Sequence, residues 1–220
     1  MADDPKELEF PVIDPSECGR LLLHCCCGPC SMYPLKLFTF QHIKPDCFWF
    51  NPNIHPQIEW DRRLENLQTA CDYFGCELKK AGEACEEDYW RSKEYLDEYG
   101  SRCEMCYDRR MEETAKYCSE NGYDSFCTTL LVSPYQQHDR ICEIARSKAD
   151  KYGVKFFYID FRPGFYYGQR YAKQIGLYRQ KYCGCCFSLD ESEFKDKILG
   201  SFKIYVKRSL GSSESTSTEK

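Results

Sequence analysis

The chain has 220 residues, is 42% hydrophobic, carries a net charge of −5 and contains 17 cysteines. That length and apolar content suit one domain with its own core, the mild acidity does not advertise nucleic-acid binding by the chain as a whole, and no apolar run approaches the ~20 residues of a membrane span. The start, Met1-Ala2-Asp3-Asp4-Pro5, lacks the basic and apolar regions of a secretory signal, so the expected compartment is the cytoplasm, where cysteines serve as thiols, metal ligands or redox groups rather than as a disulfide scaffold.

In chain order, residues 1–19 read as a flexible acidic lead-in. Arg20–Cys25, with Leu21-Leu22-Leu23, reads as a buried strand, followed by a cysteine-rich loop and a helix over about Ser31–Ile43 with Ser31 as its cap. Asp46–Phe50 reads as a second strand, broken by the turn signal Asn51-Pro52-Asn53. An amphipathic helix over Gln57–Phe74 closes at Gly75, and Cys76–Lys79 reads as a third strand. Glu86–Tyr99 reads as one charged, aromatic helix ending at Gly100, and Arg102 opens another that runs to Asn121-Gly122. Ser125–Leu131 and Val154–Ile159 read as strands around a helix over Gln137–Tyr152. A helix over Tyr167–Ile175, a short one over Ser192–Leu199 and a strand-like Phe202–Val206 complete the ordered part. Strands alternating with helices predict an α/β fold, a mainly parallel central sheet flanked by helices (Rossmann-like), as a single catalytic domain over 20–208 with a disordered tail over 209–220. In such sheets the site forms from loops beyond the carboxyl ends of the strands.

Three cysteine groups carry the chemistry: Cys26-Cys27 with Cys30, Cys103 with Cys106, and Cys183 with Cys185. Thiolates this crowded repel unless a metal or a disulfide neutralises them. Cys-x-x-Cys at a helix start lets two sulfurs face one centre, so Cys26/Cys27 and Cys103/Cys106 make a four-cysteine site, structural if it holds zinc and electron-transferring if it holds a [4Fe–4S] cluster. Adjacent cysteines are unusual for zinc, which tips the reading toward iron–sulfur. In Cys183-Gly184-Cys185 the glycine permits a tight turn, and the two sulfurs either close a strained, labile disulfide or grip a second metal, which Cys30 could join. The other cysteines, Cys25 among them, read as mostly structural. From Arg162 to Leu189 there is no acidic residue, while Arg162, Arg170, Lys173, Arg179 and Lys181 alternate with tyrosines. That composition suits a surface meeting phosphates and stacking bases. Arg162, Arg170 and Arg179 are candidate substrate contacts, with Tyr135 a further candidate in the turn after a strand. There is no P-loop or dinucleotide fingerprint.

Taken together, His24-Cys25-Cys26-Cys27-Gly28-Pro29-Cys30, Asn51-Pro52-Asn53-Ile54, Arg102-Cys103-Glu104-Met105-Cys106-Tyr107-Asp108-Arg109-Arg110, Thr128-Thr129-Leu130-Leu131-Val132-Ser133-Pro134-Tyr135 and Tyr178-Arg179-Gln180-Lys181-Tyr182-Cys183-Gly184-Cys185 resemble the cobalamin-independent epoxyqueuosine reductases of the QueH type. The resemblance implies an oxidoreductase that performs the last step of queuosine biosynthesis, reducing the epoxide of epoxyqueuosine at the tRNA wobble position to the cyclopentene of queuosine. It implies Cys26, Cys27, Cys103 and Cys106 as ligands of a [4Fe–4S] cluster. Cys183 and Cys185 become the catalytic pair, either a redox-active disulfide or ligands of one additional iron, with Cys30 as that iron's third ligand. The implied partners are a tRNA with a queuosine-type anticodon and an electron donor such as a ferredoxin or flavodoxin, with no membrane. Gly28 stands where Ala is common in the family, a change expected to be harmless, and the extra Cys25 departs from the usual pattern and leaves the choice of ligating adjacent pair open by one position. Two other classes share parts of the pattern. One is the Cys-Cys-Gly domains of heterodisulfide reductase-like proteins, but here the second pair lies far downstream and the chain's other motifs do not belong to that class. The other is a zinc-stabilised RNA-binding protein without catalysis.

Overall fold

The structure, a computed structural model, describes residues 10–211, so the lead-in up to residue 9 and the tail from 212 lie outside the described residues. Leu21–His24 (β1), Asp46–Trp49 (β2), Leu78–Lys80 (β3), Ser125–Thr128 (β4) and Lys155–Phe156 (β5) form one sheet in the order β3-β2-β1-β4-β5, with every pairing parallel. The expected parallel α/β fold is therefore present. β1 and β4 are buried along their whole length, as near-continuous apolar runs are when both faces of a parallel sheet are covered.

The covering helices are Gly28–Phe40 (α1), Gln57–Phe74 (α2), Arg102–Glu120 (α5), His138–Tyr152 (α6) and Phe165–Gln174 (α7), with short helices Glu87–Ser92 (α3), Leu96–Tyr99 (α4) and Cys186–Asp190 (α8), and a final helix Lys195–Gly211 (α9). α1 packs against α2 and α7, while α5 packs against α6. The right-handed rule for parallel crossovers puts α1 and α2 on one face of the sheet and α6 on the other, because the strand order reverses between β1 and β4; α7 joins the first face by packing on α1, and α5 the second by packing on α6. The core runs through the sheet centre, with Leu22, Leu23, Phe48, Trp49, Phe126 and Cys127 fully buried. Among the described residues no helix is long and apolar enough to cross a membrane.

Several expected boundaries change, each for a local reason. α1 starts at Gly28 rather than Ser31: Cys27 is extended (φ −177°) and caps the helix, and Pro29 fits the first turn, where its missing N–H costs nothing. The Ser31 hydroxyl instead donates back to the Cys27 carbonyl at 2.8 Å. The helix expected over 86–99 splits into α3 and α4 because Lys93 turns left-handed (φ 61°). The strand expected to reach Leu131 stops at Thr128 and becomes a 3-10 turn over Thr129–Val132. The strand-like Phe202–Val206 is helical: Ile198 and Phe202, four residues apart, pack on Tyr182 and Leu189, a spacing that suits a helix face. α9 also runs past the boundary expected at 208. Residues 10–19 include a 3-10 turn capped by Asp14, Phe10 stacks on Tyr33, and buried Cys18 accepts from the Ser125 hydroxyl through its carbonyl.

Gly28 is not a neutral position here. A Cβ on it would stand 2.5 Å from the Asn66 carbonyl oxygen of α2. Gly28→Ala is expected to push α1 and α2 apart and to destabilise the protein by about 1–3 kcal/mol. Denaturant unfolding of the two proteins checks this; equal stability would show that the α1–α2 contact yields freely.

Candidate functional site

The reversal of strand order leaves a crevice beyond the carboxyl ends of β1 and β4, the usual site position in open α/β sheets. The loop after β1 supplies Cys26 and Cys27, the first turn of α1 supplies Cys30, and the 3-10 turn after β4 supplies Thr129. α5 opens with Ser101 as its cap, accepting from Glu104 N at 3.2 Å, and presents Cys103 and Cys106 three residues apart on one face. A cavity of about 470 Å³ occupies the crevice, and Cys26, Cys30, Cys103, Cys106, Cys183 and Cys185 all line it. Cys27 adjoins it through Cys26, the two sulfurs being 3.8 Å apart. All three cysteine groups expected from the sequence thus meet at one place. Cys30 stands with Cys26 and Cys27, all three sulfurs lying within 4.8 Å of one another.

A buried polar frame holds the sheet ends together. His24 bridges Thr128 Oγ1 (2.9 Å) and the Phe50 carbonyl (3.3 Å). Burial, with Arg110 nearby, pushes its pKa down to about 3, and both ring nitrogens are taken up by these two contacts, so the ring is a neutral crossbar. Asn51 donates to the Cys25 carbonyl at 2.9 Å and accepts from Arg110 Nη2 at 2.6 Å. Arg110 also reaches Cys106 Sγ at 3.8 Å. The Thr129 hydroxyl donates to Cys26 Sγ at 3.4 Å, and the Gln180 amide donates to Cys27 Sγ at 2.8 Å and lies 3.7 Å from Cys30 Sγ.

The sulfurs divide their protons. Hydrogen bonds from the Cys27 and Cys30 thiols, helped by Arg110 and Thr129, hold Cys26 well below the ordinary thiol range, while Cys30 and Cys27 are pushed up. Burial raises Cys106 to about 11. In the third group the sulfurs of Cys183 and Cys185 are 3.7 Å apart. The Cys185 thiol and Ser188 hydrogen-bond to Cys183 and bring it down to about 5, and Cys185 rises correspondingly. The donor set fits an iron–sulfur group: Cys26, Cys103 and Cys106 line one cavity with Cys27 in contact with Cys26, and guanidinium, amide and hydroxyl donors are aimed at the sulfurs, as anionic sulfur requires. Of the cysteines left as structural, Cys25, Cys47, Cys71 and Cys127 are fully buried in the core and Cys85 is half-buried.

Of the other expected residues, Tyr135 lines the cavity mouth, 81% exposed, with its ring edge-on to Phe165 at 5.9 Å. Arg162, Arg170 and Arg179 are exposed and do not line the cavity. Arg162 is occupied by Asp160 at 2.7 Å; Lys181 is the basic residue of that segment at the cavity wall. Sequence reasoning gave no role to Arg110, Gln180, Glu59 and Arg63. The last two had a signal: Arg63 falls on the buried stripe of α2 formed by Trp60, Leu67, Ala70 and Cys71. A charge on an apolar face has to be paired, and Arg63 Nε meets Glu59 at 2.7 Å.

Comparison with known proteins points the same way. The family model described as "QueH: Epoxyqueuosine reductase QueH" matches residues 21–191. The chain is 36% identical over 174 residues to epoxyqueuosine reductase QueH of Dehalococcoides mccartyi, covering 77% of this chain and 92% of that one. It is 38% identical over 185 residues to the Thermotoga maritima protein of the same name, covering 80% and 94%. Against the Acinetobacter baylyi protein it is 30% identical over 214 residues, covering 87% and 93%.

Gly184 tests the geometry of the third group. Its φ is +122°, and a Cβ there would stand 3.0 Å from Ile54 Cγ1 and 3.1 Å from Arg63 Nη1. Gly184→Ala is expected to cost about 1–3 kcal/mol. Gly176→Ala, also at positive φ but with nothing within 4 Å of the added Cβ, should cost less, because only backbone strain acts. Thermal unfolding of both variants compares them.

Proposed function

The chain belongs to the QueH family and is an epoxyqueuosine reductase, and we propose that it acts on epoxyqueuosine at the wobble position of a tRNA, with Cys26, Cys27, Cys103 and Cys106 holding a [4Fe–4S] cluster. The observation that supports this reading is the single cavity, at the switch point of the sheet, lined from all three cysteine groups. The reaction takes two electrons and two protons: both C–O bonds of the epoxide break, a carbon–carbon double bond forms and the oxygen leaves as water. When bound, the cluster supplies electrons one at a time, and an additional iron at Cys30, Cys183 and Cys185 supplies a Lewis acid for the epoxide oxygen.

The chain's own residues do the rest. Gln180, Thr129 and Arg110 present hydrogen-bond donors to the ligand sulfurs and so favour their anionic state. Cys183 and Cys185 face the cavity from a different segment, so they meet substrate independently of the cluster ligands. Tyr135 and Phe165 at the mouth offer aromatic surface to an unstacked nucleobase, a contact worth about 1–3 kcal/mol per base. Lys181 at the wall and the exposed Arg170 and Arg179 add the positive field that an anticodon backbone needs.

A second reading of the catalytic pair is favoured by the 3.7 Å contact between its sulfurs. In it the two thiols give up two electrons and two protons to the epoxide and become a disulfide, which the cluster and an external one-electron donor such as a ferredoxin or flavodoxin then reduce. Three measurements on protein purified without oxygen test the proposal. Cys103→Ser is expected to lose iron, sulfide and activity together. Cys183→Ser should abolish turnover while keeping four sulfides per chain; loss of one iron in that variant selects the additional-iron version, and unchanged iron selects the dithiol version. Affinity for substrate tRNA should fall as salt rises, and binding indifferent to salt would remove the backbone contacts assigned here.

A further inference from the structure

Residues 177–185, which carry the catalytic pair, form no helix or strand. Repeating backbone hydrogen bonds therefore do not fix Cys183 in place; side chains of α2 do. Arg63 Nη1 donates to the Cys183 carbonyl at 3.0 Å and Nη2 donates to the Tyr182 carbonyl at 3.1 Å. Its Nε donates to Glu59 Oε1 at 2.7 Å, and the Tyr178 hydroxyl donates to the other Glu59 oxygen at 3.1 Å. Both charged side chains are buried, Arg63 2% and Glu59 0% exposed. The guanidinium also lies 5.1 Å from the centroid of the Tyr182 ring, and it lines the same cavity as the cysteines. Backbone contacts complete the grip, since His55 N donates to the Gly184 carbonyl at 2.8 Å and the Tyr182 hydroxyl donates to the His55 carbonyl.

A buried ion pair is a poor stabiliser: an apolar pair of similar volume often does as well or better. Its use here calls for something an apolar pair would not give, and a planar fork reaching two successive carbonyls is such a thing. We propose that Arg63, oriented by Glu59, is a positioning residue for the reduction: it sets where Cys183 and Cys185 stand in the cavity and keeps a fixed positive charge beneath the pair through turnover. The role rests on the assignment of Cys183 and Cys185 as the reacting pair. It belongs equally to the dithiol and the additional-iron versions, because both need the two sulfurs held at one place.

The test uses holoenzyme purified without oxygen and compares wild type, Glu59→Gln/Arg63→Met, Arg63→Lys and Cys183→Ser. The double variant removes both charges and so leaves no buried unpaired charge, although the Tyr182 and Cys183 carbonyls lose their donors. It is expected to stay folded at the assay temperature with wild-type iron and sulfide while kcat falls about 100-fold, the size of effect that a misplaced reacting group produces, with KM within about threefold. Arg63→Lys retains the charge but reaches one carbonyl at a time, and should recover about a tenfold part of that loss. A double variant with wild-type kcat overturns the proposal, as does a kcat loss that only tracks lost cluster or lowered Tm. Should the double variant fail to fold, Arg63→Lys decides: reduced kcat at unchanged Tm supports the role, and unchanged kcat overturns it. Full activity in Cys183→Ser would instead sink the assignment of the pair, an outcome separate from failure at Arg63.

Discussion

Two sulfur anions in contact repel by an amount that the fold has to answer. At the 3.7 Å between Cys183 and Cys185, two full charges cost on the order of 4 kcal/mol at the effective dielectric of about 20 that suits protein sites. That is about three pH units of separation between the two ionisations. Without a metal, then, ionisation within a contacting set falls unequally, with one sulfur favoured and its neighbours disfavoured. Cys183 is held down while Cys185 is pushed up, and Cys26 is held down while Cys27 and Cys30 are pushed up. A bound cation removes that restriction, so loading the site releases protons and grows easier as pH rises. Arg110 and Arg63 are the permanent part of the answer, buried cations that the fold holds whatever occupies the cavity.

Sequence reasoning reached the site more fully than the boundaries around it. The cysteine spacings alone marked three groups, and these are the groups that meet in the cavity. α2 was legible to the residue, because an amphipathic run ended by Gly75 in the left-handed region has one reading. α1 starts before the expected cap at Ser31, because Pro29 is at home in a first helical turn and Cys27 takes the cap position. The strand expected at Phe202–Val206 is part of one helix from Lys195 whose Ile198 and Phe202 pack with Tyr182 and Leu189, a case of packing overriding β-propensity. Gly28 failed differently. Its cost comes from the Asn66 carbonyl on another helix, which no local pattern contains.

The residues that sequence reasoning passed over share a property: their role is defined by a partner far along the chain. Arg63 and Cys183 are 120 positions apart, Gln180 and Cys27 are 153 apart, and Arg110 and Asn51 are 59 apart. Motif spacing reports on side chains within one turn or one loop. It is silent about a guanidinium that spans from one helix to a loop contributed much later. What was available was the anomaly itself, a charge on the buried stripe of α2, and such an anomaly signals that a partner exists without naming it.

The scaffold treats its sulfurs unequally, and that inequality suits a reaction with two kinds of redox group. Cys30, Cys103 and Cys106 sit in the first turns of α1 and α5, where backbone hydrogen bonds and packing fix them, and Cys26 and Cys27 are tied to the ends of β1 and to Thr129. A group that passes electrons without changing its ligands is served by such rigid placement, because pre-set geometry leaves little to reorganise. Cys183 and Cys185 sit instead on irregular chain. As a disulfide their sulfurs would have to close from 3.7 Å to about 2.05 Å, and around a substrate oxygen they would have to give way. A helix turn resists both movements, whereas a loop gripped at two carbonyls by Arg63 allows the thiols to move while their backbone stays in register with the cavity. On the proposed assignment, the sulfurs on helix starts and at the end of β1 are rigidly placed and the pair on the loop is tethered through its backbone, so the tether matters as much as the thiols.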